Sequence, residues 1–137
     1  MSLKPKPWWL DLVTPASAWV TIQPNIYVPN GFDAASYPAL IAHESVHLRQ
    51  QEMVGRWVWL WRYIWKPEWM LSQESQAVAT EMLASPKIER VAIRERYVIA
   101  FTAGAYKTIL SQPCACSTFE ARQSIMDEYC KITTEAL

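Results

Sequence analysis

From Ser36 onward the chain is cut into helix-length pieces by residues that start or stop helices: Pro38, Gly55, Pro67, the Ser85-Pro86 pair and Pro113. Proline suits a first helical turn but not a helix interior, so this punctuation predicts where each helix begins. The pieces run from Ser36 to about Met53, Arg56 to Lys66, Pro67 to about Ala84, Ser85 to about Leu110, and Ser117 to about Thr134. Ser36 is expected to cap the first, Ser85 the fourth, and Ser117 with Glu120 forms a capping-box signature for the last. There are ten glutamates against three aspartates and only three glycines, and glutamate favours helix interiors where aspartate favours caps and turns. Upstream, residues 1–18 carry Pro5, Pro7 and Pro15 and read as an extended arm. Trp19 to Val28 is rich in β-formers around Pro24-Asn25, which predicts a kinked strand or short hairpin, with Asn30-Gly31 as a turn. The fold class expected is α+β, mainly α, in one domain over residues 1–137, with about five helices.

Charge and composition exclude several function classes. Thirteen basic and thirteen acidic residues balance, so the chain has no basic field of the kind nucleic-acid binding needs. No apolar run reaches the roughly 18–20 residues of a spanning helix, and Asp11 cuts the only N-terminal apolar run too early for a signal peptide. Cys114, Cys116 and Cys130 are odd in number and late in the chain, which is not a disulfide framework. A reduced, cytoplasmic setting is expected, with a Cys116–Cys130 bridge as the alternative.

The chemistry lies in His43-Glu44-Ser45-Val46-His47. Residues four apart share one face of a helix, so two imidazoles there reach one ion at about 2.0–2.1 Å for zinc. Glu44 then stands beside the open coordination position, where a carboxylate can take a proton from bound water. These are the only histidines in the chain. Two histidines placed at random would make this pattern in roughly one sequence in a thousand, so coincidence on a core helix is the weaker explanation. The expected cofactor is one Zn²⁺ per chain.

A catalytic zinc site needs a third protein ligand, with water in the fourth place. In the helix after Pro67 the apolar stripe is Met70, Leu71, Ala77, Val78 and Met82, and Glu74 falls inside it. A carboxylate on an inward face is penalised unless paired or metal-bound. Glu74 therefore ranks first, Glu81 second, and Glu68, which the helix dipole explains, third. An ion pair of Glu74 with Arg62 or Lys66 is the structural alternative.

His43-Glu44-x-x-His47, then Gln50, then Glu74-x-x-Ala77 on a separate helix, resembles the gluzincin metallopeptidases and is most similar to their small single-domain members, the minigluzincins. It is also similar to small H-E-x-x-H-x-x-Q proteins, some of them phage-encoded. The resemblance covers roughly residues 19 to 84. It implies a minimal zincin-like domain, Glu74 as third ligand on a helix antiparallel to the motif helix, and a rim strand within Trp19 to Val28 that pairs with the substrate backbone. It implies zinc-dependent hydrolysis of peptide bonds, with a peptide or protein as substrate. The chain departs from larger gluzincins in having no second domain and no downstream histidine electrophile.

Four further residues are candidates around such a site. Glu95 lies in the stripe Ile88, Val91, Ala92, Val98, Ile99, Thr102 and Ile109, and Glu95 and Glu81 are outer-shell candidates for a histidine N–H, although for Glu95 an ion pair with Arg62, Arg94 or Arg122 is the stronger expectation. Tyr97 and Tyr63 are candidate donors to a developing oxyanion. Eight tryptophans also need a place. Trp57, Trp61 and Trp65 follow helical spacing and are expected in the core, whereas Trp59 falls off that face and suggests a partner or dimer surface; a membrane-interface helix, flanked by Arg56, Arg62 and Lys66 but short, ranks third. The alternative function is a catalytically silent, zinc-stabilised domain that binds a protein or membrane through a Trp-rich face. Glu44 weighs against it, because a purely structural site has no use for a carboxylate there.

Overall fold

The computed structural model describes residues 1–103 and 116–136. Among them a three-stranded sheet lies beside five α-helices, an α+β arrangement that is mainly α. The strands are β1 (Ser2–Pro5), β2 (Val20–Ile22) and β3 (Asn25–Val28). The helices are α1 (Pro38–Val54), α2 (Arg56–Trp65), α3 (Pro67–Ala84), α4 (Arg90–Thr102) and α5 (Thr118–Glu135).

β2 and β3 form the expected hairpin, antiparallel and turned at Gln23-Pro24, with Thr21 opposite Ile26. Residues 1–18 begin extended, as expected, and then turn. β1 pairs in parallel with β3, and Trp8–Leu12 form a 3-10 turn. Pro5 closes an edge strand, where its missing N–H disrupts no central ladder. Lys6 is buried behind it, its Nζ donating to the Pro15 carbonyl at 2.6 Å and pairing with Asp11 at 2.9 Å.

The helix starts follow the punctuation, with two corrections. Ser36 does not cap α1. It ends a 3-10 turn (Ala34–Ser36) whose cap is Asp33, and Tyr37 occupies the N-cap of α1 with no side-chain bond. Ser85 is instead the C-cap of α3, its hydroxyl donating to the Glu81 carbonyl, and a 3-10 turn at Lys87–Glu89 intervenes before α4. The Ser117–Glu120 capping box of α5 is present in full. The expected helix end near Leu110, the Pro113 loop and Cys114 lie outside the described residues. Cys116 and Cys130 are both free thiols.

α3 is the centre of the packing, with α1, α2, α4 and α5 all against it. Towards α4 and α5 it contributes Val78 and Met82 to a core with Ile93, Tyr97, Val98, Phe101, Ala121 and Ile125. No helix among the described residues is long and apolar enough to cross a membrane.

The tryptophans of α2 reverse the expectation. Trp57, Trp61 and Trp65 are 71%, 64% and 49% exposed, whereas Trp59 is 3% exposed. α2 is apolar on more than one face, so spacing alone does not choose which face turns inward. The buried face is the one that stacks: Trp59 lies on Tyr63 with ring centroids 4.6 Å apart and meets Trp69 edge-on at 5.7 Å. Trp59→Ala is therefore expected to destabilise the fold by about 3–5 kcal/mol, and Trp57→Ala by less than about 0.5 kcal/mol, in urea unfolding. Equal effects would return Trp57 to the core.

Candidate metal centre

α1 places His43 and His47 one turn apart on one buried face, with Glu44 and Gln50 also buried. Side-chain contacts between α1 and α3 run in opposite chain order, from His43 with Glu81 to His47 with Glu74 to Gln50 with the Gln73 carbonyl. The two helices are therefore antiparallel. Ala77, fully buried one turn after Glu74, presents only a methyl group on this face.

Glu74 sits between the two imidazoles. Its Oε2 is 3.5 Å from His43 Nε2 and its Oε1 is 3.2 Å from His47 Nε2. Ligand atoms of His43, His47 and Glu74 all lie within 4.8 Å of one another. Tetrahedral zinc with bonds of about 2.0–2.2 Å holds neighbouring ligand atoms roughly 3.3–3.6 Å apart, so a small closing movement of the three side chains would bring them onto one ion. The donor chemistry, two imidazole nitrogens and a carboxylate oxygen, suits zinc as well.

The other nitrogen of each histidine is already bonded. His43 Nδ1 donates to Glu81 Oε2 at 3.0 Å. His47 Nδ1 donates to Gln50 Oε1 at 2.9 Å. The Gln50 amide nitrogen faces two acceptors, the Gln73 carbonyl and Gln76 Oε1, and this fixes which end of the amide meets His47. With both Nδ1 protons held, both Nε2 atoms are left to turn towards Glu74, the arrangement that orients histidines at metal sites. Glu81 is held in turn by Tyr97, whose hydroxyl donates to Oε2 at 2.7 Å, and by Arg96 at 2.7 Å.

The expected carboxylates separate cleanly. Glu74 has no arginine or lysine partner among the described residues, and its third contact is the Tyr63 hydroxyl, which donates to Oε1 at 2.5 Å. Glu81 takes the outer place behind His43, and Glu68 is exposed in the first turn of α3. Glu95 does not join the site. Its carboxylate accepts from Arg94 at 2.7 Å and from Arg122 at 3.0 and 2.7 Å. The buried residues of α4 are Ile93, Tyr97, Val98 and Phe101; Ile88, Val91 and Ile99 of the expected stripe are exposed, and its Ile109 lies outside the described residues. Tyr63 and Tyr97 lie in the site, with their protons directed to Glu74 and Glu81.

Two contributors escaped the sequence reading. Thr21, on β2, donates its hydroxyl to Glu44 Oε2 at 2.6 Å. Gln51, fully buried, donates to the Thr21 carbonyl and accepts from the Gln23 N–H. β2 is an edge strand, and Gln51 takes up the outward Thr21 carbonyl and, just past the strand, the Gln23 N–H. Trp59 closes the site from α2, its ring 5.4 Å from that of His47. Comparison with protein-family models, curated proteins and solved structures finds no match to this chain.

Without metal the cluster is an ion-pair network. Burial by itself lowers the His43 pKa, but hydrogen bonds to Glu74 and Glu81 and the charges of Glu74 and Glu44 outweigh it and hold it up at about 10. His47 is raised by Glu74 in the same way. Burial pushes Glu74 and Glu81 up, and their histidine partners pull both below the usual carboxylate range. The raised histidine contributes stability that is complete below its ordinary 6.5 and lost as pH climbs towards about 10. The lowered carboxylates contribute stability that is complete above 4.5 and lost as pH falls through their folded values. Metal must displace the Nε2 protons, so its stabilisation runs the other way. Thermal melts with chelator and with zinc should show a zinc-induced gain that grows from pH 5.5 to pH 8. A gain that shrinks over this range would mean that zinc does not bind through these imidazoles.

Proposed function

We propose that the chain is a zinc-dependent peptidase of the gluzincin type. The observation that carries this reading is the position of Glu74, a buried carboxylate between two imidazole Nε2 atoms whose Nδ1 atoms are already bonded. His43, His47 and Glu74 would hold one zinc. Three protein donors leave a fourth position for water or substrate, the arrangement of catalytic rather than structural sites.

Bound zinc supplies a water with a pKa near 7 and polarises a carbonyl. The chain's own residues do the rest. Thr21 donates to Glu44 Oε2 and so leaves Oε1 as the atom that accepts a proton. The same atom returns that proton to the leaving amine. Thr21 also fixes the rotamer of that carboxylate. Glu81 and Gln50 keep the imidazoles in the tautomer that ligates.

Elemental analysis should find one zinc per chain, lost in His43→Ala and in Glu74→Ala. Glu81→Ala should retain zinc with affinity weakened by about 10- to 100-fold, as for other outer-shell partners. Loss of zinc from Glu81→Ala with retention in Glu74→Ala would reverse the two roles.

Digestion of a peptide library tests the base. Glu44→Gln should keep zinc and fold but lose about 10²- to 10⁴-fold in rate. Thr21→Val should keep zinc and lose roughly 10- to 100-fold, the value of a hydrogen bond to a charged group, and Thr21→Ser should recover it. Zinc bound with no hydrolysis by the wild type would instead support the catalytically silent domain.

A further inference from the structure

The outer face of α2 has no role in the metal centre, and its composition is unusual. Trp57, Trp61 and Trp65 recur every fourth residue, so their rings form a row about 12 Å long on one side of the helix. Val58 is exposed beside them. Trp61 and Trp65 contact each other, with ring centroids 5.6 Å apart. Cations flank the row: the half-buried Arg56 guanidinium lies 4.8 Å over the Trp57 ring and donates to the Gln23 carbonyl, the half-buried Arg62 lies 6.0 Å over the Trp69 ring, and Lys66 is exposed after Trp65. Residues 53–67 contain no aspartate or glutamate, although the chain as a whole is neutral. None of these three cations makes an ion pair among the described residues.

Exposed tryptophan flanked by cations that pair with no carboxylate among the described residues matches a specific medium. Tryptophan has an apolar body and an N–H donor, and it settles at the level of lipid headgroups. Lysine and arginine beside it attract anionic lipid. A second copy of the chain is a poor occupant, because a two-fold contact sets the same patch against itself and brings Arg62 and Lys66 towards their own equivalents. We propose that the Trp57–Trp61–Trp65 face of α2 docks on the surface of an anionic phospholipid bilayer, with the helix lying in the interface plane. The opposite side of α2 carries Trp59 against His47 and Tyr63 against Glu74. Docking would therefore hold the metal centre one helix diameter from the lipid.

Vesicle flotation tests this without reference to catalysis or metal. Full-length protein should float with phosphatidylcholine vesicles containing one-third phosphatidylserine, remain behind with pure phosphatidylcholine, and detach as salt is raised. Its tryptophan emission should shift to the blue on binding. The triple variant Trp57→Ser, Trp61→Ser, Trp65→Ser should stay folded by circular dichroism and lose binding. Arg62→Glu with Lys66→Glu should weaken it about thirtyfold or more. Failure of the folded wild type to bind anionic vesicles would overturn the proposal, as would undiminished binding by the triple tryptophan variant. So would a dimer, seen by light scattering, that the tryptophan substitutions dissolve, because the face would then be a contact between copies.

Discussion

Glu74 is the residue on which the site depends. A carboxylate at the middle of a buried helix face is unfavourable unless its charge is answered, and two imidazoles four residues apart on α1 answer it. That requirement sets the register between α1 and α3. It places Ala77 where the helices meet, draws Tyr63 in from α2, and leaves Glu81 one heptad on to take the outer nitrogen of His43. The network then continues to Tyr97 and Arg96 on α4. Every helix that packs on α3 apart from α5 thus supplies a side chain to the cluster or its support.

Much of this was legible in the sequence, because the signals were local. Proline and glycine fixed the start of α1, α2 and α3, and the Ser117–Glu120 pair fixed α5. The i, i+4 histidines and a glutamate inside an apolar stripe identified the cluster before any long-range contact was known. The misreadings came where two faces of one helix looked alike. On α2 both the Trp57–Trp61–Trp65 row and the Trp59–Tyr63 row are aromatic, and burial was decided by what α1 and α3 offered to stack against. On α4 the apolar residues outnumber the buried positions: Val98 of the expected stripe is buried with Ile93, Tyr97 and Phe101, whereas Ile88, Val91 and Ile99 face out, and Glu95 makes the favoured pair with Arg94 and Arg122. Thr21 and Gln51 left no local signal at all. Their importance comes from β2 crossing beside α1, which only the fold specifies.

The N-terminal sheet acquires a purpose from the same contacts. It is too small to be stable alone, and its edge strand is fastened to α1 by Gln51 and to Glu44 by Thr21. An edge whose N–H and C=O groups are capped in this way is also protected from pairing with other chains. Under the proposed function, a substrate would find its backbone partners away from Thr21 and Gln23.

X-ray absorption at the zinc edge of the purified, zinc-loaded protein tests the central assignment most directly. Two imidazoles and one carboxylate predict a shell of nitrogen and oxygen only, at about 2.0–2.2 Å, with the outer-ring scattering of two histidines. A sulfur shell at about 2.3 Å, or scattering from fewer than two imidazoles, would place the metal elsewhere and contradict the assignment to His43, His47 and Glu74.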